Sequence, residues 1–173
     1  MKFNKLVICG KGGSGKDHLR KILAEQGFKY SVSVTSRPMR ADEKDGLDYN
    51  FISLEQANRL VEEGLLYEHC TFNGWVYGTT KDQFQKSNLF ILTPRGISQI
   101  KKEDRENTII VYLDISENIR RERLSKRRDA DDVERRIKAD DSDFKNFEDF
   151  DLIINNPDFD LESISYLTKI IKK

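Results

Sequence analysis

The 173 residues predict an α/β fold: a parallel sheet flanked by helices, an inserted mixed β/α lobe and an Arg-rich helical lid. Three observations carry that expectation. Short continuous apolar runs alternate with helical stretches, the pattern of strands covered on both faces. A glycine-rich turn joins the first strand to the first helix. Two segments break the rhythm: 33–80, and a charge-rich stretch, 120–136, within an expected lid of 120–145. The length suits one domain, with a core of 1–32, 81–119 and 146–173 around that lobe and lid.

Taken in order, Phe3–Cys9 reads as a buried strand and Gly15–Gln26 as a helix with Leu19, Ile22 and Leu23 on one face and Gly27 after its end. Tyr30–Thr35 alternates like a strand. Ser53-Leu54-Glu55-Gln56 is a capping box opening a helix that Gly64 follows. Asn88–Thr93 and Thr108–Asp114 are further strands, each followed by a helical stretch. Leu152–Asn155 is a last strand and Leu161–Ile171 a closing helix. No repeat, linker or low-complexity tract interrupts this order.

Lys plus Arg and Asp plus Glu both number 30, so no overall basic field draws nucleic acid or a membrane surface. No apolar run reaches membrane-spanning length, and no signal peptide is expected. The two cysteines, Cys9 and Cys70, lack metal-ligand spacing, so reduced thiols and a cytoplasmic location are expected. His18 and His69 have no third partner that suggests a metal.

Gly10-Lys11-Gly12-Gly13-Ser14-Gly15-Lys16-Asp17 matches GxxxxGK between strand and helix. Glycines let backbone N–H groups curl round a phosphate, the helix N-terminus adds positive potential, and Lys16 reaches the outer phosphates. The expected sheet is therefore of the P-loop NTPase type. Where Ser or Thr usually meets Mg²⁺, Asp17 stands; its carboxylate is a hard-oxygen ligand, or else a first-turn acid facing the dipole.

Beyond the loop, Ser33-Val34-Thr35-Ser36-Arg37-Pro38-Met39-Arg40 leads to Glu43, Gly46, Asp48-Tyr49 and Phe51, then Glu68 and Gly74-Trp75-Val76-Tyr77-Gly78-Thr79. This resembles the guanylate kinase family, whose patterns are SxTTRxPRxGExxGxDYxF and E…GxxYG[ST], and similarity spans most of the chain. The resemblance implies transfer of the ATP γ-phosphate to GMP or dGMP. Arg37 and Arg40 can fork onto one phosphate. Tyr49 and Tyr77 add neutral donors. Glu68 can accept from guanine N1–H and the N2 amino group, with Ser33 and Thr79 completing base recognition. Asn155 is implied as a donor-nucleotide contact.

Met39 and Asp42 replace a family proline and glycine, and two longer stretches depart further. At Phe90-Ile91-Leu92-Thr93-Pro94-Arg95-Gly96 the family carries DxDxxG, and Ile91 and Thr93 replace both acids. Thr93 can accept one hydrogen bond from guanine, and Asp17 restores negative charge beside the metal. In the lid, the family's RLxxRG…RL aligns with Arg123-Leu124, Arg127 and Arg136-Ile137, with Arg128 at the usual Gly. Arg123, Arg127 and Arg136 are the implied phosphate clamps, acting with Lys16. Small-molecule nucleotides with Mg²⁺ are the expected partners of a monomer or homodimer. Two alternatives stand: a deoxynucleoside monophosphate kinase of broader specificity, and a non-catalytic phosphopeptide-binding relative, against which the retained Gly10, Gly15 and Lys16 argue.

Overall fold

The computed structural model describes residues 3–72, 74–126, 132–159 and 161–171. In chain order the elements are β1 (Lys5–Gly10), α1 (Lys16–Glu25), β2 (Val34–Thr35), β3 (Asn50–Phe51), α2 (Leu54–Glu62), β4 (Leu66–Phe72), β5 (Trp75–Thr80) and α3 (Lys81–Lys86). There follow β6 (Leu89–Ile91), α4 (Pro94–Ile97), α5 (Lys102–Arg105), β7 (Thr108–Leu113), α6 (Glu117–Ser125), α7 (Val133–Asp143), β8 (Leu152–Ile154) and α8 (Leu161–Ile170).

Alternate side chains of β1 enter two separate apolar cores. Leu6 and Ile8 pack with Leu19 and Leu23 of α1, Val111, Leu113 and Leu167 of α8. Val7 and Cys9 face the other way, onto Phe84, Phe90, Ile97 and Ile110. Both faces of the sheet are thus covered, as continuous apolar strands require. The sheet runs β6-β1-β7-β8 with every pair parallel, so β1 lies inside it and its C-terminal end aims Gly10 at the glycine-rich turn.

A second, mixed sheet, β3-β2-β5-β4, is built from the segment between α1 and α3. Its long hairpin pairs Glu68 with Thr79 and Cys70 with Tyr77, with an irregularity between Leu66 and Glu68. Ser53 caps α2 with the full reciprocal box to Gln56. Tyr30–Thr35, expected as one strand, divides instead between the sheets. Tyr30 bridges Leu89 of the first sheet, whereas only Val34 and Thr35 join the second. Several strand ends are shorter than expected: Phe3 and Asn88 precede β1 and β6, Thr93 leaves β6 to cap α4, and Asp114 and Asn155 lie just past β7 and β8. Among the described residues no helix is long and apolar enough to cross a membrane.

Candidate active site

The turn after β1 bends at Gly13 (φ 78°) and Gly15 (φ 95°), a left-handed conformation that side chains resist. Gly15 is the N-cap of α1, and no side chain caps that end. The turn's curvature and the helix dipole converge here, the arrangement that receives phosphate. Ser14 lies fully buried beneath the loop. Lys16 folds back, its Nζ donating to the carbonyls of Gly10 (2.7 Å) and Lys11 (3.1 Å).

Three groups from the carboxyl-terminal half hold the loop from outside. Arg123 donates to the carbonyls of Gly13 (3.3 Å) and Pro157 (2.9 Å). Arg120, only 3% exposed, donates to Ile115 O and, at 3.5 Å, to Gly12 O. Asp140 of α7 accepts from Gly12 N–H at 2.7 Å. Burial pushes the Asp140 carboxyl up, while that hydrogen bond and the nearby Lys16, Arg120 and Lys11 charges pull the other way. Arg136 is half-buried on α7, one helical turn before Asp140. Arg127 lies outside the described residues.

Asp17 sits in the first turn of α1 with an exposed carboxylate 3.5 Å from Arg20 Nε. Among the described residues no three His, Cys, Asp or Glu side chains gather as a metal-binding group. Arg20 also pairs with Asp48 at 3.3 Å and lies over the Tyr30 ring, tying the loop's helix to the second sheet's lobe. Burial pushes the Tyr49 phenol up, and the Asp17 charge adds to that rise.

Across the cleft, the Arg37 and Arg40 guanidiniums both face the Glu43 carboxylate, at 2.6 and 3.8 Å. Arg37 is 6% exposed and donates to Glu43 Oε1 at 2.6 Å, and the Arg40 backbone N–H donates to Glu43 Oε2 at 2.8 Å. The Tyr49 and Tyr77 rings pack edge to face beside them. Glu68 is buried at 5% exposure, hydrogen-bonded by the hydroxyl and backbone N–H of Thr79, which in turn lies 3.5 Å from Ser33 Oγ. Burial raises the Glu68 carboxyl above its ordinary 4.5, against the pull of Thr79. A Cβ on Gly96 would fall 2.6 Å from Glu68 Oε2, so the lobe's acid reaches the core's α4.

Thr93 is less open than expected. Its hydroxyl accepts from Gly96 N–H at 3.1 Å as the cap of α4 and faces Cys70 Sγ at 3.9 Å. Asn155 is exposed, whereas the neighbouring Asn156 is half-buried and accepts from Asp158 N–H at 3.0 Å. Sequence reasoning missed Glu43, Gly96, Arg120 and Asp140. Glu43 is legible as an acid three residues after Arg40; Asp140 is legible from its helical spacing to Arg136.

A family model described as guanylate kinase matches residues 2–173. The chain is 35% identical to a guanylate kinase of Legionella pneumophila strain Paris, covering 97% of this chain and 85% of that protein. It is 31% identical to one from Coxiella burnetii, covering 98% and 87% respectively. In three dimensions it resembles a crystal structure of guanylate kinase from Anaplasma phagocytophilum, with a TM-score of 0.69 and 22% identity over 98% of this chain and 85% of that one.

Proposed function

The chain belongs to the guanylate kinase family, and from that premise we propose that it transfers the γ-phosphate of ATP to GMP or dGMP, releasing ADP and GDP or dGDP. The observation that supports the acceptor best is Glu68. It is a buried carboxylate on the same side of the cleft as paired guanidiniums, facing α4. Only guanine among the common bases offers it N1–H and an amino group side by side.

ATP lies with its phosphates against the amides between Gly10 and Lys16, and Lys16 swings from the loop carbonyls to the outer phosphates. Arg123, Arg136 and Arg127 supply further positive charge from the lid, and Asn155 borders the donor nucleotide. GMP sits with its phosphate among Arg37, Arg40, Tyr49 and Tyr77 and its base against Glu68, Ser33, Thr79 and Thr93. Phosphoryl transfer asks for in-line placement and positive charge rather than covalent help. The attacking phosphate oxygen is already anionic, so no side chain has to remove a proton. Asp17 would hold Mg²⁺, which would supply charge neutralisation on the donor phosphates. Asp17→Ser then keeps activity where Asp17→Ala loses it; equal loss in both removes Asp17 from the metal.

Nucleotides are the only partners this reading requires, and the enzyme works as a monomer or homodimer. Two free, buried thiols suit the cytoplasm. Turnover measured with ATP and Mg²⁺ against GMP, dGMP, AMP, CMP, UMP and dTMP tests the reading; GMP or dGMP leads the panel, and a flat profile overturns it. One observation favours that flat profile, a broader deoxynucleotide kinase: the Thr93 hydroxyl is committed to capping α4. Lys16→Ala separates catalysis from phosphopeptide binding. It cuts turnover by about 10³-fold in a kinase, where electrostatic groups carry the barrier, and leaves a binder unchanged.

A further inference from the structure

Asp140 has no role in the chemistry above, yet its carboxylate occupies the phosphate loop. Oδ2 accepts from the Gly12 amide at 2.7 Å, and a Cβ on Gly12 would come within 2.9 Å of that same oxygen. Arg120 Nη1 lies 3.7 Å from it, and the Lys16 and Lys11 charges act on it as well. The adjacent Asp141 pairs with Lys11 Nζ at 2.6 Å, so two successive carboxylates fasten α7 to the loop. An oxyanion on a loop amide, ringed by Arg and Lys, is the environment a phosphate oxygen needs.

We infer that Asp140 is a built-in stand-in for phosphate, which the triphosphate must displace, so that the lid helix sets the affinity for ATP. The inference deepens the kinase reading and rests on its loop. Two like charges cannot share the Gly12 amide, so α7 withdraws as ATP enters. Arg136 lies one turn earlier on the same helix face as Asp140, so one movement of α7 exchanges an acid for a base beside the loop. The contact lowers donor affinity and couples lid position to nucleotide occupancy.

Calorimetry of ATP binding without acceptor, on wild type, Asp140→Ala and Asp140→Asn, tests this. Asp140→Ala should tighten ATP binding about fivefold to tenfold, the net worth of one partly exposed hydrogen bond, with KM for GMP unmoved. Asp140→Asn, which keeps an acceptor but no charge, should fall between. Hydrogen exchange at the Gly12 amide of the ligand-free protein should speed up in Asp140→Ala, a readout independent of turnover. Unchanged or weaker ATP binding in Asp140→Ala overturns the inference while leaving GMP phosphorylation standing. Tighter ATP binding in a protein that phosphorylates no guanine nucleotide upholds it and sinks the acceptor reading. A protein that takes up no ATP in any form refutes both.

Discussion

Replacing Glu68 by Gln keeps the side chain's shape and removes its charge and one acceptor oxygen. The kcat/KM for GMP should fall by about 10²-fold, because guanine's donors are then left unpaired in a closed site, with KM for ATP unaltered; steady-state kinetics read both. Burial holds the Glu68 carboxyl above its ordinary value, so if Glu68 binds the base as proposed, GMP affinity should decline as pH is lowered through that raised value. Stability moves the opposite way. A folded value above the unfolded one favours the fold at low pH, and that contribution is lost as pH rises through the folded value. Glu68→Gln should therefore raise the urea midpoint relative to wild type at pH 8 but not at pH 4. Gly96 belongs to the same small volume, since any side chain there displaces the Glu68 oxygen.

At the level of elements, α4 is a four-residue helix held at its start by Thr93 and Pro94. Thr93→Val removes the cap and should cost about 1 kcal/mol in denaturant unfolding. Arg120 matters more, because α6 presents it fully buried to two backbone carbonyls and to Asp140. Arg120→Ala should cost about 3 kcal/mol, the penalty of leaving the half-buried Asp140 and two backbone carbonyls without their cation, measured the same way. These elements also mark how far the sequence could be read. The strands and helices of the first sheet were legible because their apolar runs and capping residues are local signals. Tyr30–Thr35 was not, since alternation shows that a segment is extended but not that it changes sheets midway. Apart from its likeness to the family's lid motif, the lid was legible as charge alone. Seven arginines in one window look alike, yet Arg120 is a buried strut, Arg121 pairs with Glu117 and Glu134, and Arg123 braces the loop. Long-range partners decide these roles, and periodicity carries no long-range partners.

Across the whole molecule, the two halves of the cleft are joined by Arg20 of α1 and Asp48 of the lobe. Asp48→Ala should raise KM for GMP about fivefold, in keeping with a partly exposed pair worth about 1 kcal/mol, with little change in the unfolding midpoint; kinetics and urea titration together check it. That β1 lies within its sheet, and not at an edge, also governs how the chain is made. Its neighbours are Leu89–Ile91 on one side and Thr108–Leu113 on the other, both far downstream. A nascent polypeptide halted on the ribosome before Thr108 therefore carries the amino-terminal strand Lys5–Gly10 with one flank open. Such distant pairing slows folding and leaves sticky backbone for chaperones to shield, so the segment made first is among the last to be secured.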